Sequence, residues 1–130
     1  MKTLAVCYSK TGTTKTVADA VTAHLGCDYD EIAFDEAAKT VTSAKNPADY
    51  DRVILFCPIW AFSLAEPMKL YLKQHGKSIT QYSLIVTCGG MGLGGCVKNC
   101  EKAIGKPPEK AVKLKSKAVK AGAFDAAELV

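Results

Sequence analysis

Hydroxyl side chains are concentrated in a short segment near the start of the chain. The segment Ser9-Lys10-Thr11-Gly12-Thr13-Thr14 follows an apolar run and leads into a stretch with helical periodicity. Free backbone N–H groups at a helix N-terminus, hydroxyl donors and a turn glycine together suit a phosphate monoester. One hydroxyl would be enough to cap the helix, so four within six residues favour phosphate binding. The Gly-Lys-Ser/Thr ending of a Walker A loop is absent.

A second segment with chemical potential is Pro58-Ile59-Trp60-Ala61-Phe62, which follows another apolar run. Trp60 has a large flat apolar face that could stack on an aromatic ring, or it could fill the core beneath the next helix. Its position after a predicted strand favours the stacking role. Phe62 either belongs to the same surface or faces the core.

The third segment, Cys88-Gly89-Gly90-Met91-Gly92-Leu93-Gly94-Gly95, contains five glycines in eight residues. Gly90-x-Gly92-x-x-Gly95 spells the dinucleotide-binding fingerprint, and it lies between a predicted strand and a predicted helix. That fingerprint belongs after the first strand of such a fold, however, and it needs an acidic residue about twenty positions further on. Lys115 stands there instead. Dinucleotide binding is therefore disfavoured.

These segments are positioned by apolar runs that alternate with helix-period stretches, which predicts a parallel sheet covered by helices. The predicted strands are residues 4–8, 27–34, 53–57 (broken by Pro58), 83–88 and 111–118. The predicted helices are residues 13–25 (ended by Gly26), about 63–75 (closed by Gly76), about 96–104, and a short one within 124–130. The polar stretch 35–51 is either a loop or a short helix.

The character of each strand indicates the order of the sheet. The first, third and fourth strands are continuously apolar, as expected of strands buried on both faces, whereas the second and fifth alternate like exposed edges. This predicts the order 2-1-3-4-5, with ligands bound at the switch point between the first and third strands. Lys113, Lys115 and Lys117 would then protect an edge strand. Nucleic-acid binding is disfavoured because no aromatic interleaving accompanies these lysines.

The sequence resembles the flavodoxin family at Ser9-x-Thr11-Gly12-x-Thr14, which matches that family's FMN-phosphate loop. The resemblance extends over most of the chain, through Cys57-Pro58-Ile59-Trp60-Ala61 and Thr87-Cys88-Gly89-Gly90. It implies a flavodoxin-like three-layer α/β sandwich formed by a single domain, residues 1–130, with FMN as cofactor. The phosphate would bind to Ser9, Lys10, Thr11, Gly12, Thr13 and Thr14. The flavin would be lined by Pro58, Ile59, Trp60, Ala61, Cys88, Gly89, Gly90, Met91 and Gly94, with backbone amides of the third segment donating to the ring carbonyls.

The resemblance implies an electron-transfer flavoprotein that takes electrons from a reductase and passes them to an acceptor protein. The alternative is an FMN-dependent NAD(P)H:quinone-type oxidoreductase with a small quinone-like acceptor. A third possibility is a binding module that has lost the cofactor, which the intact phosphate loop disfavours. Ordinary members are acidic and place an aromatic on each side of the flavin, whereas this chain carries a net charge of +4 and offers only Met91 and Leu93 in the third segment. One flavin face could therefore be open to a substrate.

A further departure from the family lies after the third strand, where members often have a glycine and this chain has Ala61. A positive φ at alanine would cost roughly 1 kcal/mol.

The lengths of the apolar runs indicate where the protein is located. No apolar run reaches the ~20 residues of a membrane span, and the N-terminal apolar stretch is too short for a signal peptide, which predicts a cytoplasmic protein.

The six cysteines are expected to be reduced, because most lie in or beside apolar runs, where a cysteine behaves as a small hydrophobe. Cys96 and Cys100, one helical turn apart, could form a redox group with Cys88, but packing of a helix on the sheet is favoured. His24 and His75 show no ligand spacing with any cysteine, so no metal site is expected. The oligomeric state stays open.

Overall fold

The computed structural model describes residues 2–130, in which parallel strands form a central sheet between two layers of helices. In chain order the elements are β1 (Thr3–Cys7), α1 (Thr13–Leu25), β2 (Asp28–Glu31), β3 (Ala33–Asp35), β4 (Thr40–Thr42), β5 (Arg52–Trp60), β6 (Ser63–Leu64), α2 (Glu66–His75), β7 (Tyr82–Cys88), α3 (Leu93–Ile104), β8 (Lys110–Lys115), α4 (Ser116–Lys120) and α5 (Ala126–Leu129), with 3-10 turns at Pro47–Asp49 and Gly76–Ser78. The sheet order β2-β1-β5-β7-β8 confirms the predicted order of the five parallel strands. None of the helices in residues 2–130 is both long and apolar enough to cross a membrane.

Two apolar clusters hold the layers together, one on each face of the sheet. The larger includes Met68, Tyr71 and Leu72 of α2 with Cys96 and Cys100 of α3, all buried. The smaller cluster contains Val17, Ala18 and Val21 of α1. The two short C-terminal helices complete it, through Val119 of α4 and Leu129 of α5. The short predicted C-terminal helix therefore packs on α1 within the same chain.

The predicted second strand is too long. β2 ends at Glu31, and residues 33–35 form β3, which pairs antiparallel with β4 in a separate hairpin. The predicted polar stretch 35–51 thus contains a strand and a 3-10 turn rather than a loop or α-helix alone. The buried Asp30 carboxylate holds the returning chain, because it accepts hydrogen bonds from the backbone N–H groups of Ala44 and Lys45 at 3.0 and 2.8 Å.

The predicted break of the third strand at Pro58 is wrong. β5 continues to Trp60, turns at Ala61 and Phe62, and returns as β6. Proline is tolerated there because β1 pairs with β5 only as far as Phe56, which leaves that edge of β5 without a neighbouring strand. The helix expected from about Ser63 starts only at Glu66, because Ser63 and Leu64 form the returning strand of this hairpin.

Two other boundaries differ from the prediction. The fifth strand was expected to reach residue 118, but β8 ends at Lys115, where its partner β7 also ends at Cys88. Lys117 consequently lies on α4 rather than on the strand edge. The third helix begins at Leu93 rather than near Cys96. The sequence did not predict this start because the first turn contains two glycines, which have poor helix propensity.

Candidate functional site

The three loops that follow β1, β5 and β7 converge at the carboxyl edge of the sheet. They enclose a cavity of about 200 Å³. Nine of the predicted site residues line it: Lys10, Thr11, Thr13, Thr14, Pro58, Ile59, Trp60, Cys88 and Gly89. The predicted residues Ser9, Gly12, Ala61, Gly90, Met91 and Gly94 belong to the same loops or their flanks but do not line the cavity. Thr87 and Ser116 line it and were missed by sequence reasoning.

The loop after β1 presents the N-terminus of α1 to this cavity. Gly12 is the N-cap residue with φ of 94°, and within the described chain no side chain caps the helix. The Gly12 N–H donates to Ser9 Oγ at 3.0 Å, which closes the turn before the helix. The first-turn N–H groups of an uncapped helix remain available to an anion. This loop therefore has the geometry that the sequence predicts for phosphate binding.

Thr14, which was predicted to bind the phosphate, lines the cavity and also makes a contact within the fold. Its Oγ1 lies 2.7 Å from Thr87 Oγ1 at the end of β7, and both side chains are buried. The pair ties the start of α1 to the strand that carries the glycine-rich loop. Thr87 is the residue before the last of β7, and its sequence signals are a hydroxyl near that strand's carboxyl end and its place in the family-like segment Thr87-Cys88-Gly89-Gly90.

Replacing Thr87 with valine is expected to lower the free energy of unfolding by about 1–2 kcal/mol, because the buried Thr14 hydroxyl loses its partner. Chemical denaturation of the purified protein measures this change. Thr87→Ser keeps the hydroxyl and should lose less stability than Thr87→Val. A larger loss in Thr87→Ser than in Thr87→Val would show that the methyl group of Thr87, rather than the hydrogen bond, stabilises this contact.

The hairpin turn of β5 and β6 carries the aromatic residues of the site. Trp60 is half-buried, with the ring of Tyr8 edge-on at 5.7 Å and Lys10 Nζ 5.7 Å from its ring centroid. Ala61 and Phe62 have φ of 50° and 64°, in the left-handed region that non-glycine residues seldom adopt. Ala61 therefore adopts the positive φ that glycine would adopt more easily at this position. Phe62 is 70% exposed and does not face the core.

The glycines of the third loop divide into two groups by their surroundings. A Cβ on Gly92 would lie 2.8 Å from Ile59 Cγ2 and 3.0 Å from Phe62 Cα, and one on Gly95 would overlap the Phe62 carbonyl oxygen. These two glycines therefore let α3 pack tightly under the hairpin turn. Gly89, Gly90 and Gly94 have nothing within 4 Å of such a Cβ. Two of the three glycines that spell the dinucleotide fingerprint, Gly92 and Gly95, are therefore needed for packing of α3 against the hairpin turn.

Cys57, Cys96 and Cys100 are buried in the core beneath the site. Burial raises the pKa of Cys96 to about 11 and that of Cys100 to about 12, and it raises the pKa of Cys57 well above its usual value. All six cysteines are free. Cys88 Sγ donates a hydrogen bond to the Gly90 carbonyl oxygen at 3.1 Å, which shapes the glycine loop. The core position expected for Cys96 and Cys100 is confirmed.

Comparison with known proteins agrees with this architecture. The profile of the flavodoxin domain matches residues 5–129. The chain belongs to the flavodoxin domain family. A search of curated protein sequences finds no significant match.

Solved structures similar to this flavodoxin-family domain share its fold at low sequence identity. A Lactobacillus acidophilus flavoprotein in complex with FMN is 17% identical with a TM-score of 0.77, over 92% of this chain and 97% of that one. The Trp repressor binding protein from Bacillus subtilis is 14% identical with a TM-score of 0.65, over 99% and 100% of the two chains. A Streptococcus pneumonia TIGR4 flavodoxin is 19% identical with a TM-score of 0.61, over the whole of both chains.

Proposed function

We propose that this flavodoxin-family domain binds FMN and transfers electrons between redox partners. The observation that carries the proposal is the convergence of an uncapped helix N-terminus, a half-buried tryptophan and an open glycine backbone on one cavity. The phosphate would lie against the loop from Ser9 to Thr14. The flavin ring would lie between Trp60 and the loop that contains Gly89 and Gly90.

The charges and the free space of the site fit this cofactor. Lys10 is the one charged side chain among the described residues that line the cavity, so no carboxylate there repels a phosphate dianion. Gly89 and Gly90 are exposed and leave open space where side chains would otherwise stand. A flat ring can therefore approach their backbone amides.

When bound, FMN supplies one-electron and two-electron redox chemistry, and the protein supplies orientation and electrostatics. Tyr8 and Lys10 contact Trp60 and limit its motion, which would present a fixed aromatic face to the ring. The Thr14–Thr87 pair would keep the phosphate loop and the glycine loop at a constant separation.

The carrier role is supported by what surrounds the cavity. Among the described residues that line the cavity there is neither a histidine nor a carboxylate, the side chains most often used for acid–base chemistry on a substrate, and this favours the carrier role. Phe62 and Met91, exposed by 70% and 77%, lie on the loops after β5 and β7. We refer to these two exposed side chains as the apolar rim, and they are the apolar groups of these loops that a reductase or an acceptor protein would contact.

The same rim favours a second candidate function, an FMN-dependent NAD(P)H:quinone-type oxidoreductase. A small flat acceptor could stack against Phe62 beside the ring, because no aromatic residue of the third loop covers that side. The two functions differ in whether the protein alone oxidises NAD(P)H.

The visible absorption spectrum of the purified protein, recorded before and after addition of FMN, tests the proposal. We expect flavin bands near ~375 and ~450 nm that stay with the protein through gel filtration, a property of the cofactor itself. FMN that elutes entirely free would contradict FMN binding. If NAD(P)H bleaches the bands without a partner protein, the oxidoreductase is favoured over the carrier.

A further inference from the structure

A fourth segment of the chain reaches the candidate FMN cavity, beside the loops after β1, β5 and β7. β8 ends at Lys115, which pairs with Cys88 at the end of β7, and Ser116 follows as the first residue of α4. Ser116 lines the cavity together with Thr13 of α1 and Gly89 of the glycine-rich loop. The start of α4 therefore brings a hydroxyl group to the cavity.

Packing against α1 fixes the position of α4 beside the phosphate loop. Val119 is buried in the apolar cluster that contains the inner face of α1. A depression of about 410 Å³, which we call the outer depression, lies between the start of α1 and α4. Thr11 and Thr13 line both the FMN cavity and the outer depression, whereas α4 contributes Ser116 to the first and Lys120 to the second. The phosphate loop thus has residues of α4 on two of its sides.

The fold does not use the hydroxyl of Ser116. The N-cap residue of α4 is Lys115, and within the described chain no side chain caps this helix. The buried hydroxyls of Thr14 and Thr87 in the same cavity lie within hydrogen-bond distance of one another. Ser116 Oγ has no such partner among residues 2–130, and its residue is half-buried in the cavity wall. This hydroxyl is therefore available to donate to a ligand.

α4 also places a positive charge on the outer side of the phosphate loop. Lys120 is four residues after Ser116, so the two side chains share a face of the helix. Lys120 is exposed and lines the outer depression beside Gly12, the N-cap residue of α1. No carboxylate of the described chain lines the FMN cavity or the outer depression. An anion at the start of α1 would therefore experience the charge of Lys120 without a nearby compensating carboxylate.

We propose that Ser116 is a further phosphate-binding residue, which donates a hydrogen bond to the phosphate of FMN, and that the charge of Lys120 strengthens this binding. The inference rests on the proposed binding of FMN. Two separate elements, the loop from Ser9 to Thr14 and the start of α4, would then form the phosphate site. α4 would therefore help the protein to select FMN over riboflavin, in addition to packing on α1.

Fluorescence titration of Ser116→Ala with FMN and with riboflavin tests this role. The substitution should weaken FMN binding by at least about tenfold, the effect of losing one hydrogen bond to a charged group. Riboflavin has no phosphate, so its affinity should stay nearly unchanged. Ser116→Thr keeps the hydroxyl and should retain most of the affinity for FMN. A merely structural role of Ser116 would instead weaken both flavins by similar factors.

Matched lysine variants test the charge. Lys120→Gln should weaken FMN binding about two- to fivefold, as expected for an exposed ion pair, and should make the affinity less sensitive to salt. Lys117→Gln removes the same charge from an exposed position of α4 that lines neither cavity, so it should have a smaller effect. Equal effects of the two lysine variants would overturn the role of Lys120.

The outcome for Ser116 is separable from the outcome for FMN binding itself. If the unsubstituted protein binds FMN and Ser116→Ala binds it equally well, or if the variant loses both flavins equally, the role of Ser116 is overturned and the proposed function stands. If the unsubstituted protein binds neither flavin, the proposed function fails and this inference fails with it.

Discussion

Replacing Gly95 with alanine is expected to lower the free energy of unfolding by about 2 kcal/mol. The new Cβ would overlap the backbone carbonyl oxygen of Phe62, which cannot rotate away as a flexible side chain would. Either the hairpin turn or the first turn of α3 must therefore shift, and forced shifts in tightly packed regions cost about 1–3 kcal/mol. Chemical denaturation of the apoprotein measures the loss without involving the cofactor.

Gly94 provides a matched control one residue earlier in the same helical turn. A Cβ there meets nothing within 4 Å and the position is exposed. Gly94→Ala should therefore leave stability unchanged or raise it by up to about 1 kcal/mol, the helix-propensity gain of alanine over glycine. A Gly95→Ala variant as stable as Gly94→Ala would show that the turn at Phe62 yields easily and does not fix the site.

The close packing at Gly95 explains how an unfavourable turn persists. Ala61 and Phe62 both have positive φ, and each such residue costs of order 1 kcal/mol or more. The antiparallel pairs Ile59–Leu64 and Trp60–Ser63 hold the two sides of the turn, while Gly92 and Gly95 let α3 support it from below. The hydrogen bond from Leu64 N–H to Asn99 adds a link from β6 to α3. The position of Trp60 therefore depends on α3 as well as on β5.

Much of the fold could be predicted because burial determines the composition of its central strands. The continuous apolar runs of β1, β5 and β7 reflect strands covered on both faces, and the strand order followed from this contrast with the edges. Strand ends could not be predicted from composition. β5 passes through Pro58 and β8 stops at Lys115 because of where the neighbouring strands end, which is information the local sequence does not contain.

The candidate site shows the same division between local and non-local information. The phosphate loop could be predicted because its hydroxyls, glycine and helix start are consecutive in the chain. Thr87 and Ser116 reach the cavity only through the register of β7 and β8, whose last pair is Cys88 with Lys115. The spacing of Gly90, Gly92 and Gly95 resembles a nucleotide-binding motif. Glycine is nevertheless required at positions 92 and 95 because a Cβ there would collide with Ile59 or Phe62, which are far away in sequence.

The double variant Thr11→Ala with Thr13→Ala is expected to weaken FMN binding by at least about 100-fold and to leave riboflavin binding nearly unchanged. Both threonines line the candidate cavity. We propose that their hydroxyls donate to the phosphate, and hydrogen bonds to charged groups contribute about 1.5–3 kcal/mol each. Riboflavin has the same ring without the phosphate, so it should not respond to their loss. Quenching of flavin fluorescence during titration measures both affinities.

Two further variants locate the effect within the site. Thr16→Ala makes the same substitution one turn into α1, where the hydroxyl donates to the Gly12 carbonyl oxygen and does not line the cavity, so FMN affinity should change little. Trp60→Ala removes the proposed stacking face and should weaken FMN and riboflavin by similar factors, on the order of 10-fold. If the threonine variant weakened riboflavin as strongly as FMN, the loop would act on the ring or on stability, and the phosphate would have to bind elsewhere. A large difference between the two flavins in the threonine variant alone would assign the phosphate to the N-terminus of α1 and the ring to Trp60.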